Sequence, residues 1–500
     1  MKRRTLTTVL MALVATPLVA ADKTLLFIDD HHVLYQSGTR QVLQPAQSHT
    51  TQPVIGETKP WELAIGYCSV IRNPQTEQYQ AWYQSYAGGR AQDPTRRVTL
   101  CYAESADGIQ WNKPDLDLFP FNDKHETNIV LVGNGGRSVN YGAAVVLDAN
   151  DAETARRYKL AYWDFVDVNG REVPGLCVAF SPDGIHWSKH PSGPLLQGAY
   201  GNPTQPPTVA ESATEPSTRP AISDVIDLMF DPVREAFVIY SKTWIDGPDG
   251  RRFWKRAVVR SESKNFTDWS EPEFVLAPES NDSGQIHGAP AFYHHGLYLG
   301  LIQRLDFGGF DSGGTGDMPG ELASSRDGIH WQRRFQHQMF LPVTGDGKSF
   351  DAGCLWTNAT PVVLRDELRF YYGAYVSWNS DMEADGSGVG MRRIPRDRFV
   401  ALEPCNEIGQ VTLRRQQLTK DSRITINADA SVGSISVELL NAHGYRLANY
   451  TKGDANPIES DHLRHPVKWK EQDLSSIAAD EYQIRIHLQN AKLFGVTITE

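Results

Sequence analysis

Four ionisable residues stand beside strand-like, apolar runs at the points where the chain enters them. They are Glu62, Asp224, His287 and Asp351. Carboxyl groups and imidazole are among the side chains that most often give and take protons in enzymes. If the runs that follow them converge in space, these four residues are the candidates for acid–base chemistry, with one group on each side of a reacting bond.

A second set of residues is placed to contact a ligand beside those groups. The chain has 12 Trp and 19 Tyr residues, and this aromatic content suits a carbohydrate ligand because ring faces stack on sugar rings. The candidate contacts, each next to a predicted loop, are Asp30, Trp61, Arg304, Glu321 and Trp356. Asp30 and its neighbour Asp29 are also an alternative to Glu62 and Asp351 as the base or nucleophile.

A short phrase that occurs four times indicates the elements that must position these residues. It has the form Ser-x-Asp-Gly-Ile-x-Trp, with one degenerate copy, and each copy follows a strand-like run. Asp-Gly favours a tight turn, because glycine tolerates positive φ and aspartate bonds its own backbone. The phrase predicts a structural strand–turn–strand unit with a buried Trp at residues 105–111, 181–187, 263–269 and 325–331.

Pairs of short runs rich in β-branched and aromatic side chains recur along the same region. Five such hairpins are present, and four of them are followed by the turn phrase; they begin at Cys68, Ala144, Asp227, Ala289 and Thr360. Almost no stretch has the pattern of an amphipathic helix. A supersecondary unit repeated in this way indicates a radial array. The sequence therefore predicts an all-β fold, a five-bladed β-propeller followed by a small C-terminal β-sandwich.

The length of 500 residues favours two domains. Residues 1–21 are predicted to be a secretory signal peptide, because Lys2, Arg3 and Arg4 precede an apolar segment too short to span a membrane. The propeller is expected over residues 22–404. Alternating short strands without the turn phrase place the sandwich at residues 405–500. The signal peptide predicts a periplasmic or secreted protein.

Charge and cysteine content exclude several classes of function. The formal net charge of −11 argues against a nucleic-acid or anionic-membrane partner. No Cys-x-x-Cys or His-rich spacing indicates zinc, so we expect no metal in the site and no cofactor, while a structural calcium ion and the oligomeric state are left open. Five cysteines leave at least one unpaired. Cys68 and Cys101 could pair, but buried free thiols are favoured.

Several segments of this chain resemble a known family. The segments are residues 26–30, 60–62, 321–328 and 370–373, together with the four turn phrases and the terminal sandwich. The chain resembles the exported bacterial proteins described as glycosyl-hydrolase-family-32-like, which are related in fold to glycoside hydrolase families 32, 43, 62, 68 and 117. The resemblance covers nearly the whole mature chain and is more specific for fold than for substrate.

The resemblance implies roles for two of the ionisable residues. Asp224 resembles the Asp of the family 32 Arg-Asp-Pro element, which stabilises the positive transition state, although Ser223 replaces the Arg. His287 stands where family 32 carries its acid Glu, and family 117 uses a His as acid; an imidazolium near neutral pH can donate a proton. The Trp-x-Asn-Asp-Pro-Asn-Gly element is absent, so the nucleophile and the retaining or inverting outcome stay open.

These observations predict a secreted glycoside hydrolase that is exo-acting on a furanose or a deoxy or anhydro sugar, by acid–base catalysis in the propeller funnel. Two other functions are kept. One is a non-catalytic carbohydrate-binding propeller, which the mismatched acids would suit. The other is a sialidase-like enzyme, because the turn phrase resembles the Asp box, although we count five blades and find no clear arginine triad.

Overall fold

The computed structural model describes residues 22–198, 220–247, 254–279, 282, 284–306, 315–357, 360–377, 386–470 and 472–500. The predicted signal peptide at 1–21, nearly all of the predicted loop at 201–220 and residues 308–314 of the glycine-rich stretch at 308–320 lie outside these residues. The described chain divides into two compact units. One comprises residues 42–401, and the other combines residues 22–41 with 402–500.

The described part of residues 42–401 contains five antiparallel sheets, which we number as blades 1 to 5 in chain order. Blade 1 contains Ala64–Arg72, Tyr79–Tyr86, Val98–Ser105 and Ile129–Leu131. Blade 2 contains Tyr141–Leu147, Tyr158–Val168, Arg171–Ser181, Ser188–Lys189 and Leu196–Gln197. Blade 3 contains Ile226–Asp231, Ala236–Ile245, Lys255–Ser263 and Glu273–Leu276.

Blades 4 and 5 have interrupted inner strands. Blade 4 contains Gln285–Gly288, Ala291–His294, Leu297–Leu305, Gly320–Ser325 and Trp331–Gln332. Blade 5 contains Cys354–Trp356, Val362–Val363, Glu367–Tyr375, Ser387–Pro395, Gln47–Ser48 and Ile55–Gly56. The outer edge of blade 5 is thus built from the beginning of the unit, since Ile55 pairs with Val389 and Ser48 with Arg392. The sequence did not predict this pairing.

Apolar side chains join each blade to the next. Separate buried clusters lie between blades 5 and 1, 1 and 2, 2 and 3, and 3 and 4. Blades 4 and 5 meet where Phe292 lies 6.4 Å from Phe370. A further buried cluster takes residues from all five blades or their entry segments, including Tyr67, Val225, Leu305 and Trp356 with half-buried Tyr141. The sheets therefore surround one centre, and the prediction of an all-β propeller is confirmed.

The Ser-x-Asp-Gly phrase forms the predicted turn, and we call the four copies the Asp-Gly turns. At residues 181–187, Asp183 Oδ1 accepts the backbone N–H groups of Ile185 and His186 at 2.9 Å each. Ser181 Oγ accepts the N–H of Gly184 at 2.9 Å. The same contacts recur at 105–111 and 325–331. In the degenerate copy at 263–269, Asn265 Oδ1 replaces the carboxylate.

The tryptophans of the Asp-Gly turns are half-buried, whereas the sequence predicted buried side chains. The indole N–H groups of Trp111, Trp187 and Trp269 each donate to a carbonyl inside their own turn, as Trp187 does to Gly184 O at 3.0 Å. Each of the four rings is therefore partly exposed to solvent. The residues that are wholly buried at the same interfaces come from the neighbouring strands, as Trp82 and Tyr240 do.

Three of the Asp-Gly turns are bonded to the preceding blade through the carbonyl at their apex. Trp82 Nε1 donates to Gly184 O at 2.6 Å, Tyr240 Oη to Gly328 O at 2.8 Å, and Tyr371 Oη to Gly108 O at 2.8 Å. In the degenerate turn, Phe266 stands at the glycine position, and its ring lies 5.8 Å from Phe180 of blade 2. Each turn thus contacts an aromatic side chain of its neighbour.

The second unit is a pair of antiparallel sheets. One contains Lys23–Leu26, Thr39–Leu43, Val400–Pro404, Arg423–Asp429, Asp461–Pro466 and Lys492–Thr499. The other contains Val33–Ser37, Ile408–Leu413, Gln416–Leu418, Ser434–Asn441 and Asp480–Gln489. One buried apolar cluster takes side chains from both sheets, which is the arrangement of a sandwich.

The bounds of this unit differ from the expected ones at residues 22–41 and at residues 402–404. Residues 22–41 were expected in the propeller, but they supply two strands and part of a third to the sandwich. Lys23–Leu26 pairs with the final strand, where Thr24 lies opposite Thr497. The alternation that defines such a strand is too short at Lys23–Leu26 to indicate which distant strand it joins.

Helices are few in the described residues. They are four 3₁₀ turns, Gly88–Arg90, Pro94–Arg96, Thr154–Arg156 and Leu474–Ser476. None of the described helices has the length and apolar character of a membrane span. All five cysteines are free thiols and four are buried, which confirms the expectation of buried free thiols. Burial raises the pKa of the Cys101 thiol to about 12.

The Asp-Gly turns generate a prediction on stability. Gly184 has φ +81°, and an added Cβ would lie 2.5 Å from the Trp82 ring. Gly170 has φ +79° with open space around its Cβ position, so it is a matched control. We expect Gly170→Ala to cost about 1–2 kcal/mol for backbone strain alone. Gly184→Ala is expected to cost about 1–3 kcal/mol more because of the clash. Urea unfolding of both variants measures the difference, and equal losses would show that the turn does not depend on the Trp82 contact.

Candidate active site

The candidate site lies at the centre of the five blades. Each blade or the segment that enters it places at least one side chain there: Tyr67, Tyr141, Asp224, His287 and Trp356. Of these five, the sequence predicted Asp224, His287 and Trp356. The structure brings those three together with the two tyrosines.

A buried ion pair forms one side of the site. Lys242 Nζ contacts Asp224 Oδ1, and both side chains are 3% exposed. Ser223 Oγ donates a second hydrogen bond to the same oxygen at 2.7 Å. Asp224 precedes the first strand of blade 3, and Lys242 lies in the second strand, where its backbone N–H donates to Val225 O at 3.3 Å. Burying a carboxylate is costly unless it is paired, and Lys242 supplies the pairing.

The burial of Lys242 has its own electrostatic cost. Burial lowers the pKa of the ammonium group, the carboxylate of Asp224 raises it, and Arg256 lowers it. Arg256 donates to Gln285 Oε1 at 2.8 Å and stacks 4.7 Å from the ring centre of Trp244. Two basic side chains and one carboxylate therefore share this side of the site.

His287 and Tyr67 form a second pair in the site. His287 Nε2 and Tyr67 Oη share a hydrogen bond of 3.1 Å. Burial, Lys242 and Arg256 hold the pKa of His287 well below its usual range. Burial chiefly, with contributions from Tyr141, Asp224 and Asp227, raises the pKa of Tyr67. The pair is a neutral imidazole and a neutral phenol at neutral pH, so the expected imidazolium acid is not the resting form.

Local irregularities of the inner strands aim these side chains at the centre. In blade 4 the pairing passes from Ile286↔Arg304 to Gly288↔Gln303, so His287 is an extra residue in a β-bulge. In blade 1, Gly66 and Tyr67 together lie opposite one residue of the next strand. In blade 2 the register shifts directly after Tyr141.

A glycine beside each irregularity is the signal that sequence reasoning missed. Gly66, Gly142 and Gly288 adjoin Tyr67, Tyr141 and His287. Glycine inside a strand often marks a bulge or a close approach. Gly66 is such an approach, because an added Cβ would lie 2.9 Å from the Tyr375 hydroxyl.

Aromatic rings line the rest of the site. Tyr141 lies 5.7 Å from Tyr67 and 6.0 Å from Tyr86, and Trp356 lies 4.4 Å from Tyr375. Tyr86 and Tyr141 are half-buried, whereas the rings of Tyr67 and Trp356 are buried. The first two therefore present the aromatic surface that a ligand can reach without a rearrangement. Val225, Leu305, Met318 and Cys354 are buried in the same cluster.

A further carboxyl group was not predicted from the sequence. Asp227 Oδ2 accepts the Ala289 N–H at 2.9 Å, and burial raises the pKa of Asp227 well above its usual range. No donor among the described residues reaches Asp227 Oδ1 or the neighbouring Gln303 Oε1. The side chains of Asp227 and Gln303 approach each other over Gly288, which has no side chain. A Cβ added at Gly288 would lie 3.0 Å from Asp227 Oδ2. Burial therefore favours the protonated form of the Asp227 carboxyl group.

The other two candidate acids lie in networks of their own. Glu62 accepts hydrogen bonds from Lys113 Nζ at 2.7 Å and Tyr83 Oη at 2.7 Å, and from two backbone N–H groups. Asp351 contacts Thr344, and it accepts from Tyr372 Oη at 2.9 Å and Arg392 Nη2 at 3.1 Å. Both carboxylates stabilise blade structure in these contacts, and their predicted catalytic roles gain no support.

The residues predicted to contact a ligand also lie in different parts of the structure. Trp61 is wholly buried and donates to Asn128 Oδ1 at 3.1 Å, so its ring faces serve packing. Arg304 Nε lies 3.0 Å from Glu321 Oε1, and Glu321 is bound by Arg333 at 2.7 Å. Asp30 belongs to the sandwich unit, where its Oδ1 accepts from Gln41 Nε2 at 3.4 Å. Of the five contacts, only Trp356 joins the central cluster.

One group among the described residues has the spacing of metal ligands. The ligand atoms of His294, His295 and Asp397 lie within 4.8 Å of one another. Asp397 is bonded to His294 at 2.6 Å, to His295 at 3.3 Å and to Arg396 at 3.2 Å. These protein contacts occupy the carboxylate, and none of the residues belongs to the central cluster.

Comparisons with known proteins give structural likenesses alone. No family model matches the sequence, and no curated protein matches it. An N-acetylgalactosamine deacetylase from F. plautii superposes with a TM-score of 0.46 at 16% identity, over 71% of this chain and 96% of that one. A family 32 β-fructofuranosidase from Bombyx mori has a TM-score of 0.41 at 11% identity, over 90% and 94%.

A third solved structure is described as a putative glycoside hydrolase from Bacteroides ovatus. Its TM-score is 0.43 at 16% identity, over 70% of this chain and 97% of that one. All three TM-scores are below 0.5, and the propeller assignment rests on the sheet topology of the chain itself.

The ion pair generates a prediction on stability. Lys242→Met leaves the Asp224 carboxylate buried without its cation, and the expected loss is about 3–5 kcal/mol of unfolding free energy. Adding Asp224→Asn removes the orphaned charge, so the double variant should recover most of that loss. A double-mutant cycle by urea unfolding measures the coupling. Additive losses would mean that the two side chains do not stabilise each other.

His287 generates a prediction on pH dependence. Its pKa is lowered in the folded protein, so below pH about 6.5 the unfolded chain binds a proton that the folded one does not. Stability therefore falls as pH falls below about 6.5, by up to about 1.4 kcal/mol per pH unit. His287→Gln should remove this share of the slope between pH 7.5 and 5.5 in urea unfolding. An unchanged slope would show that His287 is protonated in the fold.

Proposed function

We propose that this chain is a glycoside hydrolase whose site is the centre of the propeller. One observation carries the proposal. Five blades bring an ion-paired carboxylate, a hydrogen-bonded imidazole and phenol, and an aromatic wall to a single cluster at Asp224, His287, Tyr67, Tyr141 and Trp356. Such convergence of polar groups and aromatic side chains is typical of a small-molecule site.

Asp224 is the group that stabilises the positive charge of the transition state in this proposal. The transition state of glycoside hydrolysis resembles an oxocarbenium ion. A fixed carboxylate beside that charge stabilises it most when water is excluded. Lys242 and Ser223 fix the Asp224 carboxylate through one oxygen, Oδ1. In the proposal its other oxygen faces the sugar ring.

His287 is the proton carrier of the site. Because its pKa is lowered, the imidazole starts the reaction neutral and accepts a proton from the attacking water. In the proposal Asp227, whose protonated form burial favours, donates a proton to the departing glycosidic oxygen. Tyr67 holds Nε2 at 3.1 Å and so orients the ring. This role replaces the resting imidazolium acid that the family resemblance implied. We assign no carboxylate of the described residues to a nucleophile's position, so a direct attack by water is the form of the reaction that we propose.

The proposed substrate is the end of a carbohydrate chain. Val225, Leu305, Met318 and Cys354 are buried in the same cluster as the aromatic side chains of the site. We propose that they close the site on one side, so that a terminal sugar enters and an internal one does not. A furanose or a deoxy or anhydro sugar is proposed on the family resemblance. Export to the periplasm or the medium is proposed on residues 1–21, and detection of the mature chain outside the cytoplasm tests it.

The enzyme is proposed to work without a metal. Dialysis against EDTA should leave both the thermal unfolding midpoint and any turnover unchanged, because Lys242 and Ser223 already bind the Asp224 carboxylate. The measurement is a thermal melt and a rate assay before and after dialysis. A loss that calcium restores would contradict this and would indicate a structural ion.

Sugar release tests the proposed activity. Wild type is assayed on aryl glycosides and on algal and plant oligosaccharides. Asp224→Asn should lower kcat/KM by about 10²–10³, and His287→Ala by about 10²–10⁴. The exposed residues Asp123 and His125 supply the matched controls Asp123→Asn and His125→Ala, which should leave the rate unchanged.

Two other results would change the proposal. Saturable sugar binding without turnover on any substrate would favour a carbohydrate-binding propeller. Turnover that survives both Asp224→Asn and His287→Ala would place the chemistry elsewhere in the chain. A circular dichroism spectrum of each variant separates a lost reaction from a lost fold.

A further inference from the structure

We infer that a cavity between blades 1 and 2 is a second carbohydrate-binding site, which holds a neutral sugar unit by hydrogen bonds and takes no part in hydrolysis. The cavity has a volume of about 360 Å³, which lies within the usual range of small-ligand pockets. This site lies beyond the proposed function, because it belongs to another part of the propeller and binds without a reaction.

The cavity is separate from the centre of the propeller. Its blade 1 side begins at Asn73, directly after the strand Ala64–Arg72, whereas Tyr67 of the central site lies inside that strand. Six residues of extended strand span about 20 Å. None of the described residues that line the cavity belongs to the central cluster. One sugar unit therefore cannot occupy both places.

A chain of hydrogen bonds across the blade interface holds part of the lining in place. Asn73 Nδ2 donates to Tyr158 Oη at 3.1 Å, and Tyr158 Oη donates to Gln80 Oε1 at 2.7 Å. Gln80 Nε2 donates in turn to Tyr102 Oη at 3.1 Å. The ring centres of both tyrosines lie 5.7 Å from that of buried Trp82. Because the protein itself orders these side chains, a ligand does not bear the entropic cost of fixing them.

Two turns hold the rim of the cavity. In blade 1, Asn73 Oδ1 accepts the backbone N–H groups of Gln75 at 2.9 Å and Thr76 at 3.3 Å. In blade 2, the Asp-Gly turn at residues 181–187 supplies Asp183, whose Oδ1 accepts two N–H groups of the same turn. Internal hydrogen bonds therefore fix the backbone on both sides of the cavity.

Both donors and acceptors line the cavity beside these turns. Arg157 offers a guanidinium and Glu104 a carboxylate, and neither forms an ion pair among the described residues. Gln75 and Gln78 add side-chain amides, each of which can donate and accept. Arg157 is half-buried and the other three residues are exposed. A ligand with several hydroxyl groups, each a donor and an acceptor, matches this mixed lining.

Apolar side chains line the same cavity. They are half-buried Leu147 and Ala149 and exposed Pro182. A sugar ring presents hydroxyl groups around its edge and C–H bonds on its faces, so the cavity offers partners to both of its surfaces. A strongly charged ligand would instead meet a side chain of like charge, either Arg157 or Glu104. The lining therefore favours a neutral sugar.

Binding to the full chain tests the inference in two arms. In the first, the methyl glycosides of D-glucose, D-galactose, D-mannose and L-arabinose are titrated by calorimetry. In the second, affinity electrophoresis measures retention of the protein by soluble xylan, galactan or starch. Binding in the first arm alone would identify a small free sugar as the ligand, and binding in the second alone would identify a unit within a polymer. Either result supports the site, provided that the variants below locate it in the cavity.

Two variants locate the binding in the cavity. Arg157→Gln and Glu104→Gln should each weaken it by at least about tenfold, because each removes a charged partner of a sugar hydroxyl. The matched controls are Arg365→Gln, at a side chain that is 88% exposed, and Glu126→Gln, at an exposed residue, which should leave the affinity unchanged. Circular dichroism of each variant separates a lost site from a lost fold, and the exposed position of Glu104 makes its variant the safer of the two. No sugar binding in either arm would overturn the inference, as would binding that both variants leave unchanged.

The proposed hydrolase activity fails separately. Sugar binding that depends on Arg157 and Glu104, without cleavage of any glycoside, would support this site and contradict the activity. Cleavage with the Asp224 and His287 dependence described above, without binding that depends on Arg157 or Glu104, would support the activity and overturn this site.

Discussion

The contact between a turn carbonyl and the aromatic side chain of the preceding blade is the interaction on which the rest of the structure depends. Gly184, Gly328 and Gly108 each present a carbonyl to Trp82, Tyr240 or Tyr371 of the neighbouring sheet. This hydrogen bond between turn and aromatic side chain fixes the packing of one sheet against the next. The five inner strands converge on one centre only if neighbouring blades pack against each other in a repeated way. The central ion pair and the imidazole–phenol pair therefore depend on glycines at the rim.

The sequence predicted the repeating part of this arrangement because its signal is local. A Ser-x-Asp-Gly turn bonds within seven residues, and the flanking strands alternate in a recognisable way. Asp224, His287 and Trp356 could be predicted because they lie where a blade begins. Tyr67 and Tyr141 could not, since a regular strand would not aim both at the centre, and the bulges at Gly66 and Gly142 decide their direction.

Partners distant in the chain account for the remaining differences. Glu62 and Asp351 have the same local setting as Asp224, yet Lys113 and Arg392 bind them, 51 and 41 residues away. No sequence pattern near Glu62 or Asp351 indicates that Lys113 and Arg392 bind them. Asp227 lies in an apolar strand, and the sequence predicts for it only a place in a hairpin. Its raised pKa arises from complete burial, which only the assembled blades produce.

The pairing of Lys23–Leu26 with Lys492–Thr499 sets an order of events during biosynthesis. Thr24 and its partner Thr497 are separated by 473 positions. At about 5–20 residues per second, a ribosome needs about 25–95 s to make that interval. The first strand must stay unpaired throughout, while the blades can already close. The sandwich is therefore completed last, and a chain truncated near its end would carry a finished propeller with an open edge strand that invites aggregation.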